Sequence, residues 1–219
     1  FVLDEADRML DMGFIHDVRK IAGHLPMERQ TALFSATMPK AVRGLAGSLL
    51  STPVQIEVSP PSTVVKKVMQ KVLFVPQKEK AKLLIELLYD QKIKSALVFV
   101  RTKYTANRIS EKIVKSGIRA DTIHGNKSQN ARQRALDKFQ KGKLRVLVAT
   151  DIASRGIDVK GVTHVINFDL PNEPESYVHR IGRTARAGNN GTAISFCQSN
   201  EIHRLKGIEK VIREPIPAS

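Results

Sequence analysis

Short, predominantly apolar runs recur along the second part of the chain: VMQKVLFV, SALVFV, RVLVAT, HVINFD and TAISFC, spread between residues 68 and 197. Amphipathic stretches separate them. KEKAKLLIELLYDQ, TANRISEKIVKSG (with Gly117 as its stop), QNARQRALDKFQKG and PESYVHRIGR carry helical periodicity, and NEIHRLKGIEKVIRE closes the series. A strand that stays apolar instead of alternating is buried on both faces. Such strands, interleaved with helices, predict a parallel sheet covered on either side, an α/β architecture. In open sheets of this kind ligands gather at the carboxyl ends of the strands, so functional residues are expected in the strand-to-helix loops.

The first part of the chain has the same rhythm in miniature. VLDEAD reads as a strand ending in acids, and FIHDVRKIAGHL as a helix with Ile15, Val18, Ile21, Ala22 and Leu25 on one face. TALFSAT reads as a second strand, AVRGLAGSLL as a helix and PVQIEV as a third strand. SPPSTVVKK then breaks the pattern, because adjacent prolines disfavour helix and sheet alike. The expected organisation is therefore 1–58, a linker over 59–67, and a second domain over 68–219.

Charge divides along the same line. The formal net charge is +15, yet residues 1–60 hold six Lys/Arg against seven Asp/Glu, so the basic excess lies after residue 60. A field of that sign attracts polyanions such as RNA, DNA or acidic headgroups, although a basic surface can also serve solubility alone. The lone Cys197 excludes an internal disulfide framework. Six scattered histidines without HxH or HExxH spacing argue against zinc. The apolar runs are too short to span a bilayer, and a soluble cytoplasmic protein with no membrane partner is expected.

Four loops carry the polar groups that chemistry would need. Asp4 follows an apolar strand directly, where a carboxylate can hold magnesium through its water shell, and Glu5 beside it could polarise a water. The same acids would equally suit a helix N-terminus. SAT places Ser35 and Thr37 at the neighbouring strand end, within reach of Asp7 or, alternatively, as caps ahead of Pro39. In HRIGRTARAG, Arg180, Arg183 and Arg186 recur every third residue; on a continuing helix they would share one side, as phosphate-facing guanidinium groups or as a solvated face. TDIASRGID offers Arg155, Gly156 and Asp158, the last suited to a ribose hydroxyl. GNKSQ only imitates a phosphate loop, because Asn126 splits the Gly-Lys pair and Ala120 stands where a glycine is needed.

In this order VLDEAD, SAT, LVFVRTK, HGNKSQNAR, VATDIASRGID and HRIGRTAR resemble the DEAD-box RNA helicases, and RMLDMGF, IHGNKSQ and VLVATDIASRGID look most like the bacterial RhlE-type subgroup. The resemblance implies RecA-like α/β domains, with ATP and Mg2+ as cofactors and single-stranded or short duplex RNA as a largely sequence-independent partner. Ribosome-assembly or RNA-degradation factors are candidate protein partners. It assigns Asp4 and Glu5 to magnesium and water activation, and Asp7, Ser35, Thr37, His179 and Arg155 to coupling the ATP and RNA sites. Gly156 and Asp158 would meet the nucleotide, with Arg183 and Arg186 as arginine fingers. RNA phosphates would fall to Arg101, Thr102, Gly125, Gln129, Arg132 and Thr150. Ala185 stands where the family usually has glycine, and little consequence is expected of the added methyl.

The adenine-reading glutamine motif and the phosphate loop, which the family carries ahead of DEAD, are absent from these residues. The expectation is one complete RecA-like domain, the helicase C-terminal one, preceded by the C-terminal part of a first. Residues 1–58 are expected to pack poorly or lean on the second domain, and the chain alone to hydrolyse ATP negligibly. The rival reading is a non-enzymatic RNA-binding or regulatory module.

Overall fold

The computed structural model describes residues 1–11, 13–57, 68–151, 162–185 and 191–218. It divides into two compact units, Phe1–Pro61 and Ser62–Ser219. The expected linker, 59–67, lies outside the described residues.

In the first unit β1 (Val2–Leu3) leads into α1 (Ala6–Asp11) and α2 (Ile15–Gly23), then β2 (Ala32–Leu33) and α3 (Lys40–Leu49). The two strands pair in parallel, Val2 opposite Ala32 and Leu3 opposite Leu33. Leu3, Ala6, Val18, Val42 and Leu45 form a buried cluster. In this unit Ala6 and Val42 are wholly inaccessible, whereas Ile21 and Phe34 stay exposed. The third strand expected at PVQIEV does not form over 53–57. Its alternating pattern fits a half-buried strand, but none of the described strands pairs with it, and Val54 and Ile56 are exposed.

The second unit follows the α/β rhythm closely. β3 (Val68–Phe74), α4 (Lys80–Leu88), β4 (Ala96–Phe99), α5 (Lys103–Lys115), β5 (Ala120–Ile123) and α6 (Gln129–Gln140) come first. β6 (Val146–Ala149), β7 (His164–Asn167), α7 (Pro174–Ile181), β8 (Gly191–Cys197), a 3-10 turn (Ser199–Glu201) and α8 (Ile202–Ile212) complete it. The sheet is parallel throughout in the order β3-β8-β7-β4-β6-β5.

Alternate residues of the central strands feed different cores. Ala96, Val98, Val146 and Val148 join Leu84, Leu88, Ala106 and Ile109 of α4 and α5 on one face. Leu97, Phe99, Leu147 and Ala149 meet Ala135 and Phe139 of α6 on the other. Burial on both faces is why these strands read as unbroken apolar runs.

Helix starts follow local chemistry. The Thr102 hydroxyl accepts from the Thr105 N–H ahead of α5, the Ser128 hydroxyl accepts from the Ala131 N–H ahead of α6, and Pro174 opens α7. Each helix therefore begins just beyond a strand's carboxyl end, and the loops between them form one functional edge.

Candidate functional site

At the end of β1, Asp4 is exposed and its Oδ1 accepts from the Glu5 N–H at 2.8 Å. Glu5 takes a left-handed backbone, φ 51°, which costs a non-glycine residue about 1 kcal/mol and is characteristic of functional turns. Its Oε2 accepts from Arg8 Nη1 at 2.9 Å. Asp7 turns inward and is buried. Its Oδ2 accepts from both the N–H and the hydroxyl of Thr37, at 2.8 and 2.7 Å, and its own N–H donates to the Ser35 hydroxyl at 3.1 Å. That hydroxyl in turn donates to the Thr37 carbonyl. Ser35 and Thr37 thus tie the two strand ends together. They do not cap α3, whose N-cap is Pro39 without a side-chain bond.

Asp4 and Glu5 offer hard oxygen donors, but no cluster of three or more metal-binding side chains exists among the described residues. That donor set suits magnesium, which binds through one or two carboxylates, water and phosphate oxygens in place of an all-protein cage.

In the second unit the RNA candidates line up along one edge. Arg101 and Thr102 follow β4, Thr150 follows β6, and Gly125 follows β5, with Gln129 and Arg132 in the first turn of α6. β4, β6 and β5 are neighbours in the sheet. Arg101, Thr102, Gly125 and Gln129 are exposed, Arg132 half-buried and Thr150 buried. Gln129 Oε1 accepts from Arg132 Nη1 at 3.1 Å. Two helix N-termini, of α5 and α6, open onto this edge and add favourable dipoles for anions.

Arg180 lies within helix α7 and Arg183 beyond its end. α7 ends at Ile181, and Gly182 is its C-cap. Arg180 is 3% exposed and belongs to the framework. Its Nε and Nη2 donate to the two carboxylate oxygens of Asp151 at 2.6 and 2.7 Å, and its Nη1 donates to Asn167 Oδ1 at 3.1 Å and the Asp169 carbonyl at 2.7 Å. The guanidinium also lies 4.9 Å from the Phe99 ring centroid. Arg183, two residues past the helix, is half-buried. Arg155, Gly156, Asp158 and Arg186 lie outside the described residues, and His179 sits in the last turn of α7.

Ala185 corrects a second expectation. Its φ is +54°, a conformation glycine adopts freely and alanine only with strain, so the methyl has a cost of about 1 kcal/mol. Gly191 faces this turn, and a Cβ there would stand 2.2 Å from Thr184 Oγ1.

Sequence reasoning missed Lys80, Asp151, Asp169 and Glu201. Of these only Asp151 and Asp169 carried a signal, as acids directly after apolar strands.

The family described as helicase conserved C-terminal domain matches residues 79–188, half of the chain, and the DEAD/DEAH box helicase family matches residues 1–45. The chain belongs to the DEAD-box RNA helicase family. Among curated DEAD-box proteins, the ATP-dependent RNA helicase CshA of Geobacillus kaustophilus is 47% identical over 97% of this chain, which spans 45% of that relative. The chain therefore covers under half the length of such a DEAD-box relative. A solved structure of S. cerevisiae Dbp5 L327V bound to RNA and ADP BeF3 matches all of this chain and 59% of its own, at 35% identity and TM-score 0.91. E. coli DEAD-box protein SrmB, solved with regulator of ribonuclease activity A, matches 69% of this chain and 90% of its own, at 37% identity and TM-score 0.67. The RecA-like fold is common to these DEAD-box structures and this chain.

Proposed function

We propose that the protein carrying these residues is an ATP-dependent RNA helicase, and that it holds RNA by its phosphates along the carboxyl edge of β4, β6 and β5. The observation that carries this reading is the row of Arg101, Thr102, Thr150, Gly125, Gln129 and Arg132 on three adjoining strands. Guanidinium, hydroxyl, amide and helix N-termini are all donors suited to phosphate oxygens. The yeast relative solved with RNA supports the ligand class.

The rest of the machinery follows from the chain's own groups. Magnesium, when bound with the triphosphate, neutralises charge that develops on the phosphates. Asp4 offers its exposed carboxylate to that ion's water shell. Glu5 is the base that orients the attacking water, sharing its carboxylate with Arg8 in the resting geometry. Arg183 and Arg186 bring positive charge to the departing phosphate, and Gly156 and Asp158 receive the nucleotide. Asp7, locked to Ser35 and Thr37, is a coupling residue of the first unit, and Arg155 and His179 are the coupling residues of the second.

Within the family, RMLDMGF and IHGNKSQ favour an RhlE-type chain, whereas the similar curated relatives are named CshA; we place the chain with the CshA-like proteins. Cytoplasmic action and RNA-degradation or ribosome-assembly partners belong to the same proposal, and the SrmB structure with a ribonuclease regulator supports the former partner class.

The test is RNA binding by the 219-residue chain across a salt series. Affinity should fall steeply with salt, with little dependence on base sequence, and Arg132→Ala should reduce the slope of log affinity against log salt by about 0.7. Salt-independent binding would overturn the reading. The chain contains no phosphate loop, so it should not hydrolyse ATP alone. Joined to a phosphate-loop domain it should, and Glu5→Gln should abolish that turnover while sparing RNA binding.

A further inference from the structure

Lys80 opens α4 with its side chain wholly buried. Its Nζ donates to the Phe168 carbonyl at 2.9 Å and lies 3.4 Å from Asp169 Oδ1 and 3.5 Å from Glu201 Oε2. Each carboxylate turns its other oxygen to the same residue. Glu201 Oε1 accepts from Arg101 Nη2 at 2.7 Å, and Asp169 Oδ2 accepts from the Arg101 backbone N–H at 3.0 Å. One buried lysine thus braces two acids, and those acids grip Arg101 by side chain and main chain together. Four loops meet here, following β3, β4, β7 and β8.

Burial opposes ionisation of Glu201, but the Arg101 hydrogen bond and the Lys80 charge outweigh it and hold the carboxyl below its usual range. The Glu201 side chain is 7% exposed, whereas that of Arg101 is 39% exposed. Glu201 therefore anchors one nitrogen of a guanidinium whose remainder faces solvent. A buried charge network of this sort contributes little net stability against an apolar replacement and is better understood as fixing geometry.

We infer that Glu201, braced by Lys80, is a positioning residue that fixes the Arg101 guanidinium for an RNA phosphate, so that RNA affinity depends on a carboxylate that does not itself touch RNA. The inference rests on the reading of Arg101 as a phosphate contact. Its sign is diagnostic. Removing an anion beside a polyanion site should tighten binding if only charge mattered, whereas losing the orientation of a long, rotamer-rich side chain should weaken it.

The experiment measures binding of a short labelled single-stranded RNA to the 219-residue chain and its variants, below the unfolding midpoint of each. Glu201→Gln is expected to weaken binding about three- to tenfold, the range for re-ordering one such side chain. It should also reduce the salt slope by about 0.7, as Arg101→Ala does, and the double change should cost no more than Arg101→Ala alone. Should Glu201→Gln fail to fold, Arg101→Lys keeps the buried charges and tests the same point: it is expected to lose nearly as much affinity as Arg101→Ala, because an ammonium engaged by Glu201 has no fork left to present. Unchanged binding by Arg101→Ala overturns the RNA reading at this residue. A loss there, with Glu201→Gln neutral or tighter, or with Arg101→Lys retaining affinity, overturns the positioning role alone.

Discussion

Replacing Arg180 by alanine removes four hydrogen bonds at once from the carboxyl edge of the sheet: two to the Asp151 carboxylate, one to Asn167 Oδ1 and one to the Asp169 carbonyl. Breaking a buried pair by deleting one partner costs about 3–5 kcal/mol, because the other charge loses that partner's compensation. Asp151 is 32% exposed, so water recovers part of that, and the low end of the range applies to the pair. The orphaned acceptors, Asn167 Oδ1 and the Asp169 carbonyl, add about 1–3 kcal/mol for a buried group. A total near 4 kcal/mol follows, a large fraction of the roughly 5–15 kcal/mol that stabilises a domain. Amide exchange at Leu97 and Val148, wholly buried in central strands, reads the global opening of this unit without interference from the first. Protection there should drop by about a thousandfold, on the scale of tenfold per 1.4 kcal/mol. Arg180→Lys should recover little of it, since a point charge cannot bridge Asp151 and Asn167 together. A loss under about 1 kcal/mol for Arg180→Ala would refute the assignment of this arginine to the framework.

Three further outcomes follow from the same geometry. Ala185→Gly should raise the thermal midpoint by no more than about one to two degrees, since relief of about 1 kcal/mol of left-handed strain is largely offset by the added flexibility of the unfolded chain. Gly191→Ala should lower it, because the new Cβ meets Thr184 Oγ1 at 2.2 Å and the Ala185 backbone nitrogen at 2.7 Å. Burial, with Lys127 and Lys103 beside His124 and with Lys71 opposed by Asp90 at His164, lowers the pKa of both below 6.5, so the unfolded chain binds protons first. Stability is full above about pH 6.5 and falls as pH drops through the folded values, and urea midpoints taken from pH 8 to 5 should decline over that window and flatten when both residues are replaced by asparagine.

What could be read from the residues depended on whether their partners were near in sequence or set by pairing order. RVLVAT and SALVFV announced buried strands because nothing polar interrupts them, and Asp7 could be matched to Ser35 and Thr37 because successive strand ends in such a unit lie side by side. Lys80 shows the opposite case. A lysine at the start of a helix reads as solvated, and only the sheet order β3-β8-β7-β4 brings its amine beneath the loops that follow β7 and β8. The spacing of Arg180 and Arg183 implies a shared side only while the helix lasts, and α7 stops at Ile181 with Gly182 as its C-cap. Ala185 was legible as a departure from glycine but not as a strained one, since a positive φ is a property of the turn that Gly191 and Thr184 close around it.

The two kinds of arginine on this edge then divide along a physical line. Arg180 has its bonds satisfied inside the protein and can be lost only at the expense of the fold. Arg101 is held by one nitrogen and leaves the others to solvent, the arrangement expected of a group whose remaining partner is a ligand. Stability and RNA affinity should therefore weigh differently between them: Arg180→Ala lowers the stability of the second unit, while Arg101→Ala weakens phosphate binding in a chain that still folds. An Arg101→Ala variant that lost stability and kept its RNA affinity would show that the network around Lys80 serves packing alone.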